Sequence, residues 1–310
     1  MSYTTGLVSV VIPTYKRSEM LYRAIESVLN QTYKNVECIV VNDNTPGDEF
    51  SLVLYNSLAK YKNDHRFKFI EQKEHKNGAA ARNVGIRAAQ GEYIAFLDDD
   101  DYWDDNKLEI QVPILQELTD DWGAVSCLMR FFKKGTICAV NRPYKDGYIH
   151  FEVMTRIISM GTGSLLIRRK ALDETGYFDE NLNRYQDPQL FSCLTEKYKV
   201  KLIKKYLHNR DVDDTQNRPT IEKINEYQVA LFRSLAPQLD KLPRRKAKIA
   251  ETLYIFDKMS VNYRGGNIAQ AMKYALSLFK YPEVLFYSIK RVLDSYKEHM
   301  FLKHNLLKYK

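Results

Sequence analysis

Apolar residues come in short blocks along the first hundred positions, and the blocks alternate between two spacings. Leu7-Val-Ser-Val-Val-Ile-Pro13 is a β-branched run closed by proline, whereas Leu21, Ala24, Ile25, Val28 and Leu29 recur at helical spacing. A second strand, Val36 to Val41, ends in Asn42-Asp43-Asn44, and a helical stretch from about Asp48 to Tyr61 follows. Phe67 to Ile70 reads as a third strand, Ala79 to Ala89 as a helix of small residues and Tyr93 to Leu97 as a fourth strand. Strands alternating with helices imply right-handed crossovers, and so an α/β fold with a mainly parallel sheet covered on both faces.

The second half is less regular. Ala124 to Phe131 is predicted as a strand, and the pattern weakens from Lys133 to Tyr148. Gly161-Thr-Gly163 leads into a strand at Ser164 to Arg168, either as a plain turn or as a gap left for a ligand. Asp187 to Glu196 reads as a helix and Val200 to Leu207 as a further extended segment. From about Ile221 only helical spacing remains, with breaks near Pro237, Pro243, Gly265-Gly266 and Pro282. The expected division is therefore an α/β domain at 1–220, split near residue 101 into two halves, and a helical region at 221–310.

With 310 residues, 45% of them hydrophobic, the chain can bury a large core, which excludes a disordered protein. Cys38, Cys127, Cys138 and Cys193 have no paired short spacing, which argues against a disulfide framework or a zinc site. Met1 to Gly6 is polar, and no uncharged apolar run reaches the roughly 20 residues of a spanning helix. A cytoplasmic location follows as the expectation. Residues 1–220 carry 30 basic and 31 acidic side chains, but 221–310 carry 17 and 8. The excess points to an electrostatic partner for the tail, an anionic membrane at the inner face of the cell or a polyanionic acceptor. Leu285, Phe286, Ile289, Val292 and Leu293 lie at amphipathic spacing beside Lys290, Arg291 and Lys297; packing on the catalytic region is the alternative.

In open α/β sheets, ligands bind beyond the carboxyl ends of the strands. Thr14, Arg17, Asp43, Asn44 and Asp98 to Asp101 all fall at predicted strand ends. Asp98-Asp99-Asp100-Asp101 would repel itself without a counter-cation. A hard divalent ion such as Mg2+ or Mn2+ takes oxygen ligands from one or two carboxylates together with substrate phosphates. The competing reading is a solvated turn capping the next helix.

Val11-Ile-Pro-Thr-Tyr15, Asp43, Ala79-Ala-Ala-Arg-Asn-Val-Gly85 and Asp98-Asp-Asp100 follow one another in the order of the motifs of family 2 glycosyltransferases, which the chain resembles over roughly 7–220. The resemblance implies a GT-A fold, a nucleotide-sugar donor with UDP the default, and a divalent metal. It implies a glycan or lipid-linked glycan acceptor in cell-surface polysaccharide synthesis; nucleic acid is not among the expected partners. It places Pro13, Thr14, Tyr15 and Arg17 on the nucleotide, Asp43 on the base edge and Arg82 in the same pocket. Asp98 would face the ribose, Asp99 would join it in binding the nucleotide-sugar, and Asp100, with Asp98, would face the metal, the register within 98–101 staying open by one residue. For Arg82 a surface salt bridge is the alternative.

Tyr185-Gln-Asp187 resembles the family's acidic pair, whose Asp is the catalytic base of inverting members; here Gln186 stands in its first position. Asp187 is the expected base, and Asp187-Pro188 also suits a helix N-cap. His208 resembles a residue that many GT-A enzymes place on the metal, and could equally be an ordinary surface histidine. Two other functions compete. A nucleotidyltransferase would carry a glycine-rich phosphate loop after the first strand, where this chain has Thr14-Tyr-Lys-Arg-Ser18. A non-catalytic sugar-nucleotide or polyanion binder is opposed by Asp98, Asp100 and Asp187.

Overall fold

The computed structural model describes residues 3–17, 19–141, 144–158, 160–213, 219–279 and 281–282. In chain order its strands and helices are β1 (Thr4–Thr14), α1 (Glu19–Leu29), β2 (Val36–Asn42), α2 (Glu49–Ser57), β3 (Phe67–Glu71), α3 (Gly78–Ala88) and β4 (Gly91–Phe96). The second half adds β5 (Tyr102–Trp103), α4 (Lys107–Glu117), β6 (Trp122–Lys133), β7 (Thr136–Val140), α5 (His150–Met154), β8 (Leu165–Arg168), α6 (Arg169–Thr175), α7 (Gln186–Lys197) and β9 (Lys199–Asp211). Helices α8 (Ile221–Leu239), α9 (Arg244–Arg264) and α10 (Ile268–Leu278) complete the described chain.

The strands form one sheet in the order β3-β2-β1-β4-β8-β6-β9-β5, with β7 paired to β6. β3, β2, β1 and β4 are mutually parallel, β8 runs against both its neighbours, and β6 and β9 return to the first direction. The mainly parallel sheet is thus as expected, with β5, β7 and β8 the reversed strands. Being covered on both faces, the sheet needs strands that are apolar throughout. Alternate residues of β1 show why: Val8, Val10 and Ile12 join α1 in one apolar layer, and Val11 joins α3 and α7 in the other.

Local chemistry explains how close α3 lies. A Cβ at Gly85 would meet Val11 Cγ1 at 2.3 Å, so only glycine admits this approach. Asn77 caps α3 by accepting from the Ala80 amide, and the helix starts at Gly78, one residue before the predicted start. Helix α8 lies against α7, and its Leu231, Leu235 and Leu239 share an apolar cluster with Leu182, just before α7, and Met154 of α5. Ser192 donates to Gln238 across this contact at 3.0 Å. Among the described residues no helix is long and apolar enough to cross a membrane. The amphipathic segment read at 285–297 lies outside the described residues.

Candidate active site

The strand ends meet at a cleft of about 580 Å³. β1 delivers Pro13, Thr14, Tyr15 and Arg17, β2 delivers Asp43, α3 delivers Arg82, and the turn after β4 delivers Asp98, Asp99 and Asp100. The expected convergence of these residues is therefore what the topology produces. Asn183, Arg184, Gln186, Pro219 and Tyr227 close the other side.

The Asp43 end is polar and fixed. Gln72 donates to the Asp43 carboxylate, as does the Lys76 amide at 3.0 Å, and His75 Nδ1 lies 3.2 Å from it. Burial pushes the carboxyl above its usual range, while Lys76 and His75 act the other way. Beside it the Tyr15 and His75 rings stack with centroids 4.2 Å apart. Lys16, at φ 54°, is held by its amide on Asn44 Oδ1 at 2.8 Å, which turns the chain away from β1 and leaves Tyr15 at the cleft.

The four aspartates are not equivalent. Asp99 turns inward, accepting from Thr14 Oγ1 and from Arg17 Nη1, both at 2.8 Å. Asp100 receives the same Arg17 nitrogen at 2.6 Å. Asp98 is paired with Arg82 Nη2 at 2.6 Å. Asp101 is buried, accepting from the Asp211 amide at 3.2 Å, with Arg210 Nε 3.5 Å away. Burial pushes Asp99 up to about 6 against the pull of Arg17. Burial, with Asp98 and Asp101 nearby, lifts Asp100 to about 6 as well. Burial raises Asp101 well above the carboxylate range. Only Asp98 lies below its ordinary value: burial opposes this, but Arg82 and Arg210 outweigh it.

Asp98, Asp100 and Asp101 each offer an oxygen within 4.8 Å of the other two. An all-carboxylate set in which burial and mutual repulsion raise Asp100 and Asp101 suits a hard divalent cation, which would supply the missing positive charge. The expected Asp98 and Asp100 are both in this set, and Asp101 joins them. Asp99, expected among the nucleotide-sugar residues, lines the cleft and is engaged by Thr14 and Arg17.

His208 reaches the site, but differently from the expected metal ligand. It is fully buried, its Nε2 sits 2.9 Å from Asp101 Oδ2, and burial drives its pKa down to about 3, so the ring is neutral. A Cβ on Gly163 would meet His208 Nε2 at 2.5 Å. The Gly161-Thr-Gly163 segment is therefore a buried turn packed on this ring, not a gap for a ligand. Arg210 was missed by the sequence reading, although in a strand it shares a face with His208 two residues earlier.

Arg82 joins the two halves of the cleft. It is 9% exposed, which rules out the surface salt bridge, and its Nη1 donates to Gln186 Oε1 at 3.1 Å while Nη2 holds Asp98. Asp187 stands next to Gln186 in the first turn of α7, half-buried, with Thr162 Oγ1 3.5 Å from its Oδ2. Burial raises its carboxyl, Arg82 opposes this and Asp98 adds to it. Asp187 is not the N-cap: Tyr185, in the left-handed conformation at φ 62°, occupies that position and the helix begins at Gln186. Capping therefore does not explain this carboxylate.

Known proteins resemble this chain in sequence and in fold. A glycosyltransferase of Rickettsia felis is 33% identical over 73% of this chain and 36% of its own, so the chain spans about a third of that relative's length. UDP-Glc:alpha-D-GlcNAc-diphosphoundecaprenol beta-1,3-glucosyltransferase WfaP of Escherichia coli is 37% identical over 36% of this chain and 41% of its own. Among solved structures, S. aureus TarS 1–349 in complex with UDP-GlcNAc superposes with a TM-score of 0.64 at 16% identity, covering 98% of this chain and 92% of that one. The fold is the GT-A fold of that neighbour. The model of glycosyl transferase family 2 matches residues 9–176, more than half of the chain, and the chain belongs to that family.

Proposed function

We propose that this protein moves a sugar from a nucleotide-sugar, a UDP-sugar by preference, to a hydroxyl of a lipid-linked glycan, with inversion and with a divalent cation. The observation that carries the reading is that Arg82 links Asp98, one of the three clustered carboxylates with Asp100 and Asp101, to Gln186 across the cleft, with the carboxylate of Asp187 next to Gln186 and within the electrostatic reach of both Arg82 and Asp98. A UDP-GlcNAc complex of a protein with this fold and a lipid-diphosphate acceptor in the name of a relative support the choice of donor and acceptor.

Each residue then has a task. Asp43, fixed by Gln72 and Lys76, accepts from the base edge, and the Tyr15–His75 stack gives the base a flat apolar neighbour. Pro13, Thr14 and Arg17 line the nucleotide path, and Asp99 holds Thr14 and Arg17 in place. Asp98 faces the ribose while Arg82 keeps it ionised. Asp98, Asp100 and Asp101 would hold Mn2+ or Mg2+, which when bound would supply positive charge for the leaving diphosphate. His208 and Arg210 fix Asp101. Asp187 takes the proton of the attacking hydroxyl; its raised pKa makes it a better base than a solvated aspartate. One carboxylate suffices for a single displacement, unlike the paired carboxylates of hydrolases. Gln186, uncharged where the family has an acid, leaves Asp187 free of a like-charged neighbour in sequence.

Synthesis of surface polysaccharide from the cytoplasmic face of a membrane is the setting this chemistry suits. A panel of nucleotide sugars, scored for metal-dependent thermal stabilisation and for slow hydrolysis, tests the proposal. Stabilisation by one UDP-sugar in the presence of Mn2+ or Mg2+ supports it, and indifference to every member would refute it.

A further inference from the structure

Helix α10 is apolar on two sides. Ala271 and Leu278 are buried where it packs on α9. Ile268, Met272, Leu276 and, one residue past the helix, Phe279 leave 49%, 60%, 66% and 72% of their surface exposed. At 3.6 residues per turn these four positions fall within an arc of about 80°, so they form a continuous stripe rather than scattered apolar contacts.

The charge around the stripe narrows what can cover it. Residues 241–280 contain nine Lys or Arg and two Asp or Glu. One of the two acids, Asp257, is paired with Arg156. Arg244, Arg245, Lys246, Arg264 and Lys273 are all exposed. A second copy of the chain meeting this face would bring like charges together. A polyanion alone would use the lysines and arginines and leave the stripe in water. An anionic bilayer satisfies both features, because apolar side chains enter the acyl boundary while Lys and Arg remain among acidic headgroups.

We infer that α10 docks this protein on an anionic lipid bilayer through Ile268, Met272, Leu276 and Phe279, with the basic residues of α9 and α10 around them. The purpose of docking, bringing the cleft to a lipid-linked acceptor, rests on the function proposed above; the docking itself does not.

Co-sedimentation of the full chain with vesicles tests it, comparing phosphatidylglycerol–phosphatidylcholine mixtures with phosphatidylcholine alone. The wild-type chain should partition onto the anionic vesicles. Met272→Glu with Leu276→Glu should lower the partition coefficient at least about tenfold, because carboxylates would face both acyl chains and acidic headgroups. Leu52→Glu with Val53→Glu, on the exposed apolar side of α2, should leave it unchanged. Equal partitioning of the α10 variant overturns the inference, as does a wild-type chain that ignores anionic vesicles. Light scattering and thermal unfolding separate other occupants. A wild-type dimer that the α10 variant dissociates, with vesicle binding unchanged, assigns the stripe to a second copy and overturns the proposal. A monomer that the variant destabilises, with vesicle binding unchanged, assigns it to the chain's own tail and also overturns it. UDP-sugar binding is read in parallel: failure on vesicles alone overturns the docking surface and leaves the proposed transfer standing, and failure of donor binding alone does the reverse.

Discussion

Replacing Arg82 by methionine tests whether the two halves of the cleft are held together by charge. The substitution keeps an unbranched apolar stem beside Phe178, whose ring centroid is 5.4 Å from the guanidinium carbon, and removes the cation. Asp98 loses a partner at 2.6 Å, Gln186 loses one at 3.1 Å, and Asp187 loses the charge that most favours its ionised form. Breaking a buried ion pair costs about 3–5 kcal/mol. The Asp98 side chain keeps 27% of its surface in water and Arg210 still pulls on it, so the lower end, about 3 kcal/mol, is expected. At about 2–4 °C per kcal/mol for a chain of this size, the melting temperature should fall by roughly 6–12 °C. The assay is a double-mutant cycle by thermal and denaturant unfolding, with Asp98→Asn as the second arm. Asp98→Asn should rescue Arg82→Met in part, the pair being destabilised by at least about 1.5 kcal/mol less than the sum of the singles. A melting temperature for Arg82→Met within 2 °C of wild type, or additive singles, would refute the reasoning; the ~2 °C limit corresponds to less than about 1 kcal/mol.

Three further expectations follow from individual contacts. Asp187→Asn should fold and bind donor as wild type does but lose about 10²-fold or more in turnover, and an α-linked donor should give a β-linked product by NMR; an active variant or an α-linked product would show another residue or mechanism at work. Lys107 is buried over the Trp103 ring at 3.8 Å with Gln111 Oε1 at 2.6 Å, and burial lowers its pKa from 10.5 to about 8. The charged form is therefore penalised in the folded state by roughly 3 kcal/mol below pH 8, a penalty that fades as pH rises from 8 towards 10.5, because there the unfolded chain binds more protons. Lys107→Met should accordingly be more stable than wild type at pH 7, by an advantage that shrinks by pH 10, and a difference that does not vary with pH would contradict this. Gly163→Ala drives a methyl into the His208 ring, at 2.5 Å from Nε2, and should cost about 1–3 kcal/mol in denaturant unfolding; a neutral effect would mean that the turn yields easily.

What the chain discloses before it is folded follows from how local each signal is. β1, β2 and β4 are legible because strands covered on both faces must be apolar throughout, and the helix at Ala79 to Ala89 is legible because close packing needs small residues. Their ends shift by a few positions: β1 begins at Thr4 because Thr4 pairs with Gly91, a partner no local pattern announces. β5 is two residues long and carries no period, and the reversal of β8 depends on β4 and β6, which flank it. In the site, Asp43, Asp98 and Asp100 stand just past strand ends, and Arg82 stands within α3, whose small residues bring it close to the sheet. Asp101 could be told from Asp99 only by knowing that β9 brings His208 and Arg210 behind it. The capping preference read at Asp187-Pro188 was a local signal that lost to Tyr185, whose left-handed backbone starts α7 one residue earlier.

The central claim, a nucleotide-sugar cleft that uses a divalent cation, is tested most directly by calorimetry of UDP binding. Wild type and Asp100→Ala are each titrated with and without Mn2+. Removing the metal should weaken UDP binding by wild type at least about tenfold, about 1.4 kcal/mol, and Asp100→Ala should bind weakly whether or not metal is present. Equal UDP affinity in all four titrations would contradict the claim.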